Sequence, residues 1–193
     1  MPSVTTRPAS HCWDQKELSD PRLGFSIGAR KANPLAKSMR HASLVPLSQD
    51  HHHGLALALR CRKQALGQIK PMGAVGLRER AKELLAFYAS NLLPHFRAEE
   101  EVLFPLLRSL VPESGAMIDE LVQNHSEIRQ AMPQLEVETG LAKLIFDLGD
   151  LLERHIRKEE RELFPLFEQR VDKGDAETAG VEIKNLLVSQ VKV

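Results

Sequence analysis

His95-Phe-Arg-Ala-Glu99-Glu-Glu-Val-Leu-Phe-Pro105 and His155-Ile-Arg-Lys-Glu159-Glu-Arg-Glu-Leu-Phe-Pro165 are two versions of one phrase. Each sets a histidine and a glutamate four residues apart. In an α-helix those side chains stack on one face, one turn apart. An imidazole and a carboxylate held this way form a half-site for a first-row transition metal. Two copies of the phrase predict two metals.

A further histidine lies upstream of each copy. Leu47-Ser-Gln-Asp-His51 and Leu121-Val-Gln-Asn-His125 share the pattern Leu-x-Gln-Asp/Asn-His. The order His51, His95/Glu99, His125, His155/Glu159 therefore reads as one H…HxxxE unit used twice. Such a repeat implies two helix pairs related by a pseudo-twofold axis, with the ligands meeting between them. His51, His52 and His53 are consecutive, and only one can point to a given spot. Repeat alignment selects His51, with His52 next in line and His53 at the surface or outside the ligand set.

Punctuation by proline and glycine divides the rest into helices. The first opens after Pro46, with Ser48 as candidate N-cap, and runs to about Gly67. The second spans roughly 76–110, with Pro94 and Pro105 as kinks. The third covers roughly 116–136, where Pro133 kinks or ends it. The fourth covers roughly 141–170. Glu177 to Val191 is weakly amphipathic and allows a short fifth helix. Apolar stripes lead directly to the proposed ligands. Leu141, Leu144, Leu148 and Leu151 precede His155, Glu159 and Glu162. Ala81, Leu85, Tyr88 and Leu92 precede His95, Glu99 and Val102. Ile118 and Leu121 precede His125, then Ile128, Met132 and Leu135. These histidines and glutamates are thus expected to face the core.

With 193 residues, 42% apolar and only 5% aromatic, the chain suits one helical domain. Formal net charge is zero, so no bulk field recruits nucleic acid or an anionic membrane. No apolar run reaches the roughly 18 residues of a membrane span, and no secretory signal is visible. Cys12 and Cys61 form no CxxC pair. A cytoplasmic location is the expectation. Residues 1–40 show no helical periodicity and are read as a disordered or loosely attached extension. Met39, where pattern begins, is a candidate biological start. The bundle is expected over 41–172, followed by a tail or short helix over 173–193.

Donor chemistry narrows the metal. Buried, unpaired carboxylates cost several kcal/mol each, and two of them among four imidazoles would rival the roughly 5–15 kcal/mol that holds a domain together. Divalent cations offset that cost. Four nitrogens and two carboxylates without a thiolate suit iron, manganese or zinc, and disfavour a cysteine-type structural zinc site. The simplest arrangement gives each metal two histidines, with Glu99 and Glu159 shared and positions left open for a small ligand. Asp50 and Asn124 are candidates to orient a neighbouring ligand, although an N-terminal cap is the first role expected of Asp50. Glu100 and Glu160 are rotated away from their own histidines.

The order H, HxxxE, H, HxxxE, with both ExxLFP tails, resembles the hemerythrin-like HHE cation-binding family over roughly residues 39–172. The resemblance implies an all-α, up-down four-helix bundle around a non-haem di-iron centre held by His51, His95, Glu99, His125, His155 and Glu159. It differs from oxygen-carrying hemerythrins in one respect. Those carry a second third-helix histidine four residues on, where this chain has Arg129, and an aspartate at i+5 in the last motif. A fifth nitrogen ligand is thus missing, which argues against reversible oxygen carriage. The ligand set is closer to family members in iron–sulfur cluster repair and nitric-oxide response. Those commonly carry an extra N-terminal cysteine-containing segment, which the single Cys12 does not reproduce. The expected role is to bind, sense or detoxify O2, peroxide or nitric oxide through two iron ions. The alternatives are an iron donor in cluster repair, or a structural or interaction module holding zinc or no metal. No protein partner is indicated, and nothing in the sequence assigns turnover.

Overall fold

In the computed structural model, residues 40–137 and 139–188 are described. The proposed extension, His11, Cys12 and the candidate start at Met39 lie outside them. The described residues form helices and turns with no strand. Among the described residues there are five rods, the last of them where the sequence allows a short C-terminal helix: α1 (Val45–Ala65), α2 (residues 73–110), α3 (Gly115–Ala131, extended by a 3-10 turn at Met132–Glu136), α4 (residues 141–170) and α5 (Lys173–Val188).

Two of these rods are interrupted by π turns. α2 widens at Tyr88–Leu92 and again at Glu99–Leu103; α4 widens at Glu159–Leu163. Each widening ends two residues before a proline: Pro94, Pro105 and Pro165. A proline inside an α-helix lacks an N–H, and its ring collides with the carbonyl four residues back. That carbonyl belongs to Ser90, Glu101 or Arg161, inside the π turn in every case. The wider turn draws it away, so the rod continues instead of breaking.

The extra residue also shifts the buried stripe by one place. Leu103 and Leu163 are fully buried, whereas Val102 is partly exposed and Glu162 faces solvent. Both had been expected to continue the inward face. Upstream in α2, Leu84 and not Leu85 takes the buried position. On α3, Ile118, Leu121, Ile128, Met132 and Leu135 are all buried, as the stripe predicts. α1 begins at Val45 with Pro46 in its first turn and no side-chain cap, so Ser48 and Asp50 lie within the helix and not at its cap.

Two apolar clusters flank a polar middle. One contains Leu57, Leu84, Phe96, Ile128 and Leu152. The other contains Leu47, Leu103, Leu121, Phe164 and Ile183. All four of α1–α4 contribute to both clusters, with the repeated His and Glu residues between them. α5 belongs to the second cluster through Ala176 and Ile183, and it also buries the small residues Ala179 and Gly180. Its docking is tied to the start of α1, where the Ser43 hydroxyl donates to the Ala176 carbonyl. Buried alanine and glycine carry little hydrophobic signal, which is why this helix reads as only weakly amphipathic.

α1 and α4 approach closely at Gly149. A Cβ built there would lie 2.8 Å from Cys61 Cβ and 2.9 Å from the Ala58 carbonyl oxygen. Backbone on one side leaves no soft neighbour to yield, so Gly149→Val should cost at least about 1–3 kcal/mol by overpacking. Gly115→Ala, whose new methyl would meet only the Arg108 side chain at 3.7 Å, should leave stability unchanged or raise it. Chemical unfolding of the two variants checks the contrast.

Candidate metal centre

Six polar side chains occupy the gap between the clusters. His51, His95, Glu99, His125, His155 and Glu159 are each no more than 3% exposed. His52 and His53 face solvent. His95 and Glu99 lie one turn apart on α2, with Nε2 to Oε1 at 3.1 Å; His155 and Glu159 repeat this on α4 at 3.3 Å. Each glutamate also reaches the upstream histidine of the other copy. Glu159 Oε2 is 3.1 Å from His51 Nε2, and Glu99 Oε2 is 3.3 Å from His125 Nε2.

The result is two overlapping groups of four, His51/His95/Glu99/Glu159 and Glu99/His125/His155/Glu159. Within each, the available donor atoms all lie within 4.8 Å of one another. Glu99 and Glu159 belong to both. The pseudo-twofold relation expected from the repeat is visible in these crossed contacts.

Around the six stands a second set of carboxylates. His51 Nδ1 meets Glu160 at 2.8 Å, His125 Nδ1 meets Glu100 at 2.7 Å, and His95 Nδ1 meets Asp50 at 3.3 Å. Glu100 and Glu160 sit off the face of their own histidines, yet each meets the upstream histidine of the other copy. Both are anchored from outside. Arg129 grips Glu100 with two bonds of 2.9 and 3.0 Å and lies over the Phe96 ring. Arg40 pairs with Glu160 and lies over the Phe164 ring, while the Ser48 hydroxyl donates to Glu160 at 2.6 Å. The phenylalanines of the two tails serve as walls: Phe164 stacks on His51 and Phe104 on His125.

These outer partners assign the imidazole tautomers. A ring that donates Nδ1–H to a carboxylate keeps its lone pair on Nε2 when neutral. The carboxylates so orient His51, His95 and His125; Nε2 of His51 and His95 lie 3.0 Å apart, and Nε2 of His125 lies 3.2 Å from Nε2 of His155. Two lone pairs so close repel unless a proton or a cation lies between them. The oxygens of Glu99 and Glu159 are buried without a hydrogen-bond donor. Orphaned carboxylates and converging lone pairs are what a cation-binding site requires, so the residues fit the metal that the spacing predicts.

Proton affinities carry the same message. Burial disfavours protonated His95, but Glu99 and Asp50 outweigh it and lift the imidazole to about 9. Burial, reinforced by Glu99, pushes the Glu159 carboxyl well above its usual range. Burial, reinforced by His125, pushes His155 well below. In the outer set, burial opposes ionisation of Glu160, yet His51, Ser48 and Arg40 hold it down at about 2. Elsewhere, burial raises the Cys61 thiol to about 12, consistent with a small apolar packing residue. Tyr88 packs against the first cluster.

With that geometry in hand, comparison with known proteins is informative. Residues 44–167 match the hemerythrin HHE cation binding domain. This chain belongs to that family. It is also 28% identical over 110 residues to a DNA nickase of Nostoc sp. (strain PCC 7120), a match covering 55% of this chain and 31% of the nickase. The chain thus corresponds to about a third of that relative. No solved structure matches it. Among the described residues no helix is long and apolar enough to cross a membrane.

His95→Ala or His155→Ala should remove bound metal and lower stability by on the order of 2–5 kcal/mol, the range for emptying a buried site. His53→Ala should change neither. Metal content and denaturant midpoints of the three variants check this, and equal behaviour would break the distinction.

Proposed function

We propose that this hemerythrin-family chain is a non-haem di-iron protein that binds, senses or detoxifies O2, peroxide or nitric oxide, with α1–α4 as the up-down bundle of the family. The observation that carries the reading is the pair of converging Nε2 sets flanking two shared, donorless carboxylates. His51 and His95 would hold one iron and His125 and His155 the other, with Glu99 and Glu159 belonging to both groups. Four nitrogens and two carboxylates suit iron, with manganese or zinc as the competing occupants. Bound iron supplies redox chemistry and open coordination positions for a small oxidant or gas.

The protein's own part is positional. Glu160, Asp50 and Glu100 fix three of the rings with Nε2 inward, and such outer partners also strengthen the imidazoles as donors. The apolar clusters on either side keep bulk water from the fully buried carboxylates. At the place of the oxygen carriers' extra histidine, Arg129 is turned onto Glu100, which supports ligand chemistry other than reversible oxygen carriage. The nickase relative is about three times longer than its matched part, so we assign this chain the metal chemistry and not the nicking named for that protein.

Iron-loaded protein, prepared without oxygen and then exposed separately to O2, hydrogen peroxide and nitric oxide, should develop new visible absorption saturating near one ligand per iron pair. Absence of any response to all three would contradict the proposal. Transfer of the iron to an apo iron–sulfur acceptor without such a response would point instead to an iron donor.

A further inference from the structure

The two halves of the centre are not equivalent, and the difference lies in one atom of the repeat. Asp50 precedes His51 and holds Nδ1 of His95 with a carboxylate oxygen. At the matching place, preceding His125, the second copy has Asn124. His155 is the fourth imidazole, 1% exposed. Its Nε2 faces Glu159 and His125, so Nδ1 lies on the outer side of the ring, where it has no hydrogen-bond partner among the described residues. Three of the four rings are therefore backed by a carboxylate, and His155 by none.

We infer that Asp50 is a positioning residue for His95 and that Asn124, at the matching place in the second copy, leaves His155 without an equivalent, so that the two metal sites are unequal, the His51/His95 site binding tightly and the His125/His155 site weakly and exchangeably. The inference rests on the metal-binding reading above. A carboxylate on the outer nitrogen fixes the ring's orientation and increases its donor strength, and losing such a partner typically costs about 10–100-fold in metal affinity. The first site has two carboxylate-backed rings, through Glu160 and Asp50. The second has one, through Glu100. A carboxamide has no charge, so even in contact with His155 it would support the ring far less than Asp50 supports His95.

The consequence is stepwise occupancy. The His51/His95 group would keep its ion while the His125/His155 group exchanges, so the second group is where an incoming ligand or a change of metal would be felt first. The shared carboxylates Glu99 and Glu159 stay anchored by the first ion throughout.

Titration of the metal-free full-length protein with Co(II), followed by visible absorption and calorimetry, tests this. The wild type should bind two ions in two phases separated by about 10–100-fold in affinity. Asn124→Asp should strengthen the weaker phase and narrow the gap, with the stronger phase unmoved. Asp50→Asn should weaken the stronger phase and narrow the gap from the other side. Both substitutions nearly preserve size, and a merely structural role would shift both phases together. Two ions bound with equal affinity, or phases untouched by both variants, would overturn the inequality while leaving the paired site standing. No Co(II) bound at all would overturn both.

Discussion

Two buried carboxylates and four imidazoles share the centre of an otherwise apolar bundle, and none of the described residues supplies a hydrogen bond to Glu99 or Glu159. The outer carboxylates turn the Nε2 lone pairs of His51, His95 and His125 inward, so the centre is rich in electron density and short of positive charge. Protons can fill the deficit, as the raised affinities of His95 and Glu159 show. Divalent cations fill it better, because one ion satisfies several donors together. The cost of burying charge, several kcal/mol for each unpaired ion, is thereby turned into binding energy.

The rest of the fold serves that arrangement. The close contact at Gly149 keeps α1 and α4 near enough for His51 to meet Glu159 and Glu160. The π turns let the rods pass their prolines. They also place consecutive residues on two duties, since a wider turn leaves a smaller rotation between neighbours. Glu99 therefore points to Nε2 of His125 while Glu100 takes Nδ1 of the same ring. Arg129 holds Glu100 and Arg40 holds Glu160, each against a phenylalanine face.

Much of the centre was legible in the sequence because a four-residue spacing on a helix has only one geometric meaning. The repeat also distinguished His51 from its two neighbours, and the structure has His51 buried with His52 and His53 in solvent. Contacts between copies were less legible. Glu100 and Glu160 face away from their own histidines, and only the packing of another rod shows which ring they meet. Asp50 looked like a cap because the helix start was placed too late, at Ser48 and not Val45. The register change at Leu103 and Leu163 had a sequence signal in Pro105 and Pro165, but the pattern alone suggested a kink, not an inserted residue. α5 was under-read because its buried face is built from alanine and glycine.

The central claim is that cations occupy the space enclosed by the six side chains. The most direct measurement is X-ray diffraction from crystals of the iron-loaded protein with data collected on either side of the iron absorption edge. Two anomalous peaks should appear about 3.5–4 Å apart, one beside His51 and His95, the other beside His125 and His155, with Glu99 and Glu159 between them. Iron found only at the surface, with those side chains packed on one another around an empty interior, would contradict the account.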